Sequence, residues 1–115
     1  LGLVLDTTHA GTAGEDLLRV HRLFDGRLVN VHLSDMGGPV SQLPIARLRA
    51  IAGEHLFPGA GDLSLRDLLR SLATNGYEGP ITLEVSPFAL RFWWPPAVRR
   101  QLTRALGWMK QATAG

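Results

Sequence analysis

Three short apolar stretches, each closing on or near an ionisable residue, alternate with stretches of helical periodicity. That alternation restricts the fold more than any other feature of the chain. Leu1 to Leu5 is an apolar run ending at Asp6, Leu28 to Leu33 contains Asn30 and His32, and Pro80 to Val85 contains Glu84. Short runs of this kind, bounded by turn residues, read as buried strands. Strands alternating with helices build a parallel sheet covered by helices. The expected fold class is therefore α/β, with parallel strands and outer helices. One domain is expected in 115 residues, since domains usually hold 50–250.

The intervening segments carry their own punctuation. Gly11 is expected to break the chain, and Thr12 with Glu15 has capping-box spacing, so residues 13–24 are predicted as a helix carrying Leu17, Val20, His21 and Phe24. Asp25-Gly26 should stop it. A loop over 34–42 and a short helix follow, with Pro44 in its first turn and Gly53 past its end. Residues 55–63 read as a Gly/Pro loop. Ser64 is expected to cap a helix with Leu65, Leu68, Leu69 and Leu72 on one stripe, ended by Asn75-Gly76. After the third strand a polar-aromatic loop holds Phe92, Trp93 and Trp94, expected to pack half-buried or at an oligomer contact. Pro95-Pro96 opens the last helix, whose predicted stripe is Val98, Leu102, Ala105, Leu106 and Met109, fraying after Gln111. With strands apolar on both faces, a sticky isolated chain is expected.

Composition excludes several classes of function. There is no cysteine, so disulfides, thiolate catalysis and zinc–cysteine sites are out. No apolar run approaches the ~20 residues of a membrane helix, and no signal peptide is readable at the start. A cytoplasmic protein without membrane contact is the expectation. Net charge is +2, from eleven arginines and Lys110 against ten carboxylates. The arginines are dispersed, with only Arg99 and Arg100 adjacent, which reads as solvated helix faces and argues against a nucleic-acid partner. No serine sits in a nucleophile-elbow context.

Candidate chemistry gathers at the strand ends. In parallel α/β folds, side chains from adjacent strands converge at the C-terminal edge, where ligands bind. Asp6, His32 and Glu84 all belong there. Two carboxylates offset the charge of a divalent cation and an imidazole adds a directed nitrogen donor. Manganese, magnesium, cobalt, iron and zinc all suit that set. The bland readings are a loop-capping Asp6 and a hydrogen-bonded core His32. A Glu inside an apolar strand resists that explanation, because burying it unpaired costs several kcal/mol. His9, three residues past Asp6, is a candidate fourth ligand or donor to a substrate oxygen. Asp35 is a candidate to orient His32 or a neighbouring ligand by hydrogen bonding to it, or else a turn cap. His55 precedes a loop in which Gly59 and Gly61 would let backbone N–H groups approach an anion. His21, on a helix stripe, reads as structural.

Four strings occur in order along the chain: Leu5-Asp6-Thr7-Thr8-His9, Val31-His32-Leu33-Ser34-Asp35, His55 through Gly61, and Ile81-Thr82-Leu83-Glu84. Together they resemble the C-terminal half of the xylose isomerase-like TIM barrels, a superfamily of sugar and sugar-phosphate isomerases and epimerases, inosose dehydratase, hydroxypyruvate isomerase and type-IV apurinic endonucleases. The resemblance implies a partial (β/α)8 barrel, about its last three to four βα units over residues 1–115, with the N-terminal half absent. It implies one divalent metal ion held by Asp6, His32 and Glu84, with Glu84 also an acid/base. His9 would contact substrate, and His55, Gly59 and Gly61 would line the site edge. Two positions depart from the pattern. Gly53 stands where the endonucleases carry an aspartate, and Gly38 where the ketose 3-epimerases carry an arginine. The family's remaining ligand, a glutamate on an earlier strand, has no counterpart here.

The expected function is sugar or sugar-phosphate isomerase/epimerase chemistry on a carbohydrate substrate, by proton transfer next to a carbonyl, incomplete in this chain alone. The alternatives are a non-catalytic remnant or complementing subunit of a split barrel, through self-association or pairing with an N-terminal half, and an abasic-site endonuclease.

Overall fold

The computed structural model describes residues 2–37 and 53–114. Three parallel strands form one sheet in the order β1-β2-β3: β1 is Leu3–Asp6, β2 Leu28–Leu33 and β3 Ile81–Leu83. The helices are α1 (Thr7–Thr12), α2 (Leu17–Phe24), α3 (Leu65–Thr74), α4 (Pro87–Leu90) and α5 (Pro95–Ala114). The expected α/β architecture with parallel strands is present. The short helix predicted around Pro44, and Gly38, lie outside the described residues, and Gly53, expected past the end of that helix, is itself helical.

Period-two alternation decides which residues meet the helices. Leu5, Val31 and Leu33 face them and are almost wholly buried. They share one core with Leu17, with Leu65, Leu68, Leu69 and Leu72 of α3, and with Ala112 of α5. Helix α3 lies between α2 and α5. The opposite sheet face is largely polar, with Val4 its apolar member beside Asn30, correcting the expectation of two apolar faces. Asp6 pairs with His32 and His32 with Thr82 in register, and Thr82 Oγ1 donates to Asn30 Oδ1 at 3.2 Å. A register shift between Leu3 and Val4 leaves Val29 as an extra residue of β2, between the Leu3–Leu28 and Val4–Asn30 pairs. Val29 is exposed.

Several boundaries move for reasons of capping. The chain is already helical at Thr7, because the Asp6 carboxylate accepts from the His9 N–H at 2.9 Å. Gly11 therefore lies inside α1 and does not break the chain. Thr12 ends α1 and donates to the Thr8 carbonyl at 2.7 Å, so the Thr12/Glu15 capping box does not form. Asp16 caps α2 instead, accepting from the Leu18 N–H at 3.0 Å. Ser64 occupies the N-cap position of α3, but its hydroxyl makes no capping bond. In the expected aromatic loop, Ser86 accepts from the Ala89 N–H at 3.1 Å and starts α4. Ser86-Pro87 was the readable signal, a cap residue followed by proline at the first helical position.

Helix α5 shows the largest difference of face. It buries Ala97, Ala105 and Ala112, with Trp108 and Met109 against the core, while Leu102 and Leu106 are 37% and 53% exposed. It also runs to Ala114 instead of fraying after Gln111. Phe92, Trp93 and Trp94 are largely exposed, not half-buried. His21 is buried, with Nδ1 2.9 Å from Ser71 Oγ, a structural role as its position implied. Among the described residues, no helix is long and apolar enough to cross a membrane.

Candidate metal centre

The polar face of the sheet gathers three side chains where the parallel strands end. Asp6 is the last residue of β1, His32 the penultimate residue of β2, and Glu84 the residue after β3. Parallel pairing in register brings these ends together. The backbone N–H of Glu84 donates to the Leu33 carbonyl at 3.0 Å, which fixes the carboxylate beyond the strand. Ligand atoms of Asp6, His32 and Glu84 all lie within 4.8 Å of one another. The nitrogen that faces both carboxylates is Nδ1 of His32, at 3.9 Å from Asp6 Oδ2 and 3.3 Å from Glu84 Oε2.

Asp6 divides its two oxygens between structure and site. Oδ1 accepts from the His9 N–H and caps α1, while Oδ2 faces His32 and lies 3.6 Å from Nδ1 of His9. One side chain thus orients α1 and still offers an oxygen to the cluster. Solvent access increases across the set, from 16% for the Asp6 side chain to 34% for His32 and 46% for Glu84. Partial burial strengthens charge interactions among them relative to open water. Two anionic oxygens and a neutral imidazole nitrogen within this spacing fit a divalent cation by charge and donor type.

His9 lies on the first turn of α1 and not on a loop, with its side chain 78% exposed. It neighbours His55, whose ring meets it edge-on at 6.2 Å between centroids. His55 has a left-handed backbone, φ 51°, a conformation costing an L-residue roughly 1–2 kcal/mol. Its carbonyl accepts from the Ser86 N–H at 2.8 Å, and its Nδ1 lies 3.3 Å from Ser34 Oγ.

The Gly/Pro loop is organised from within. Asp35 is 1% exposed, and its carboxylate accepts from the N–H groups of Met36 at 2.9 Å, Gly59 at 3.0 Å and Leu63 at 3.0 Å. It is directed at this loop rather than at His32. The Gly59 N–H is therefore already committed to a carboxylate. Gly59 takes φ 91° beside Trp108. At Gly61 a Cβ would collide with the Met36 carbonyl and lie 2.6 Å from Asp35 Oδ1. Both glycines are needed for close approach. Thr7, Thr8 and Ser34, fully buried hydroxyls beneath the cluster, were not singled out in the sequence. Thr7 Oγ1 donates to the Ser34 carbonyl at 2.6 Å and accepts from the Ser34 N–H at 2.9 Å, tying α1 to the end of β2. Two adjacent threonines after a strand-end carboxylate were the available signal.

Comparison with known proteins places this geometry in context. A family model described as a xylose isomerase-like TIM barrel matches residues 1–112. An uncharacterised protein of Mycobacterium tuberculosis (strain ATCC 25618 / H37Rv) is 38% identical over 87 residues, covering 76% of this chain and 27% of its own length. An inosose dehydratase of Clostridium tetani is 34% identical over 87 residues, covering 71% of this chain and 29% of its own. A crystal structure of D-allulose 3-epimerase from Methylomonas sp. superposes with a TM-score of 0.63 at 21% identity, over 96% of this chain and 37% of that one. The same epimerase in complex with D-allulose gives a TM-score of 0.62. This chain thus spans under a third of the relatives it matches in sequence and little more than a third of the similar structures.

Proposed function

Because the chain belongs to the xylose isomerase-like TIM barrel family, we propose that it is the C-terminal part of a divalent-metal-dependent enzyme acting on a sugar, sugar phosphate or related polyol. The reaction is isomerisation or epimerisation by proton transfer next to a carbonyl. The sequence relative named inosose dehydratase and the similar structure of an epimerase in complex with D-allulose support a carbohydrate or polyol substrate. The observation that carries the reading is the convergence of Asp6, His32 and Glu84 within 4.8 Å at the ends of three parallel strands.

Asp6 Oδ2, His32 Nδ1 and a Glu84 oxygen would hold the ion. When bound, a divalent cation supplies Lewis acidity that lowers the cost of negative charge on an enediolate oxygen. Glu84, the most exposed of the three, reaches substrate and carries the proton to and from carbon. His9, exposed on the first turn of α1, donates to a substrate oxygen. His55 stands at the rim beside it. Asp35 keeps the 59–63 loop shaped so that the rim stays in place.

The test is Mn2+ binding together with exchange of solvent deuterium into a ketose at the carbon next to its carbonyl. In the full-length enzyme one ion per polypeptide is expected, with Glu84→Gln losing the exchange. Normal turnover by Glu84→Gln would remove its acid/base role.

The open sheet favours a second reading beside this one. Among the described residues each of β1 and β3 has one strand neighbour, leaving edges that further strands would cover. The chain would then complement an N-terminal half barrel, or be a remnant without turnover. Activity that appears on mixing with such a half identifies a complementing subunit, and its absence identifies a remnant.

A further inference from the structure

Beside the carboxylate–imidazole cluster lies a buried hydroxyl pair that the proposed reaction does not use. Thr8 Oγ1 and Ser34 Oγ are 2.6 Å apart, and their residues are 1% and 0% exposed. Ser34 Oγ also lies 3.3 Å from Nδ1 of His55. Thr8 Oγ1 donates, at a long 3.5 Å, to the Asp35 carbonyl, whose other lone pair takes the Leu56 N–H at 2.8 Å. The result is a four-membered chain of a carbonyl, two hydroxyls and an imidazole.

The end that is a carbonyl gives this chain a direction. A carbonyl only accepts, and each hydroxyl has one proton to give. With the Thr8 proton on the Asp35 carbonyl, Ser34 donates to Thr8, and Nδ1 of His55 must donate to Ser34. All three contacts are then hydrogen bonds. In the reverse order Thr8 donates to Ser34 and Ser34 to Nδ1, and the contact to the Asp35 carbonyl carries no proton. Three contacts carry a proton in one order and two in the other, the difference being the long 3.5 Å contact to the Asp35 carbonyl. The order that uses every contact is the one favoured, because successive bonds in a chain reinforce one another.

We infer that Thr8 and Ser34 are positioning residues that hold His55 as its Nδ1–H tautomer, leaving Nε2 as an unprotonated acceptor for an O–H group at the rim of the site. Which hydroxyl it meets rests on the proposed carbohydrate reading; the tautomer does not. The nitrogen left outside the buried network is set by the partner of the other one. The left-handed backbone at His55, φ 51°, is an observed outlier of the kind that clusters at ligand-contacting positions. His55 is thereby assigned to accept a proton or hydrogen bond, beside a His9 assigned to donate one.

The experiment is nitrogen-15 NMR of the histidine rings, with chelator present, about two pH units above the ordinary histidine value of ~6.5. His55→Gln identifies the His55 signals. The wild-type protein is expected to show mainly the Nδ1–H form. Thr8→Val removes the link to the carbonyl with little change of shape, freeing the Ser34 proton for Nδ1, so the majority tautomer should reverse to Nε2–H. Thr8→Ser retains the hydroxyl and should retain Nδ1–H. An Nε2–H majority in the wild type overturns the inference, as does an unchanged Nδ1–H majority in a folded Thr8→Val. If Thr8→Val does not fold, the wild-type tautomer decides. A separate Mn2+ titration tests the metal reading, so failure of one leaves the other standing.

Discussion

Replacing Asp35 should cost about as much stability as replacing a core leucine of comparable burial, and the reason is electrostatic. Its carboxylate is buried and accepts from Met36 and Leu63 at Oδ1 and from Gly59 at Oδ2. Hydrogen bonds to a charged group contribute about 1.5–3 kcal/mol each. Met36 and Leu63 are half-buried, so their donors stay poorly hydrated once the acceptor is gone, whereas Gly59 is exposed and regains water. Counting two bonds at the lower figure, Asp35→Ala should lose about 3 kcal/mol. With a urea slope near 1.5 kcal/mol per M, the unfolding midpoint falls by about 2 M. Asp35→Asn separates acceptor chemistry from packing. It keeps the volume and, with its amide oxygen at the Oδ1 position, still accepts from Met36 and Leu63 while its NH2 faces only the Gly59 N–H. It should therefore lose about half as much, the difference between a charged and a neutral acceptor. Urea unfolding followed by circular dichroism measures both. If Asp35→Asn costs as much as Asp35→Ala, about 3 kcal/mol, the acceptor kept at Oδ1 contributes nothing and the reasoning is refuted.

Asp6→Asn should keep α1, because asparagine caps a helix as well as aspartate does, while Mn2+ affinity falls by at least about tenfold. Calorimetric titration beside a circular-dichroism spectrum checks both halves. Gly61→Ala should destabilise by roughly 2 kcal/mol, because its Cβ meets the Met36 carbonyl and Asp35 Oδ1, an overpacking cost readable as a lower urea midpoint. Leu69→Ala should lose about 2–5 kcal/mol from a fully buried site. Leu106→Ala, on the exposed side of α5, should stay within about 0.5 kcal/mol. Equal effects of these two in thermal melts would contradict the observed face of the helix.

The chain's own pattern determined the order of strands and helices, the parallel sheet and the convergence of three polar side chains at the strand ends. Those properties are local. Hydrophobic period distinguishes a strand from a helix, and a strand of fixed register puts its terminal polar residue at the sheet edge. The Leu65, Leu68, Leu69 and Leu72 stripe was readable for the same reason, since one helix period fixes one face. The tertiary structure alone decided what depends on competition between equivalent signals. Asp6, Thr12 and Asp16 are all acceptable caps, and only the docking of α1 against the end of β2, through Thr7 and Ser34, selected the first and third. On α5 both a leucine stripe and an alanine stripe are available. The core beneath it, filled by the leucines of α3, took the alanines and left Leu102 and Leu106 outside. Asp35 sits three residues from His32, within sequence reach of it, yet its carboxylate is used by a loop more than twenty residues further on. Spacing along a chain fixes which residues share a face, and packing fixes which of the available partners each one meets.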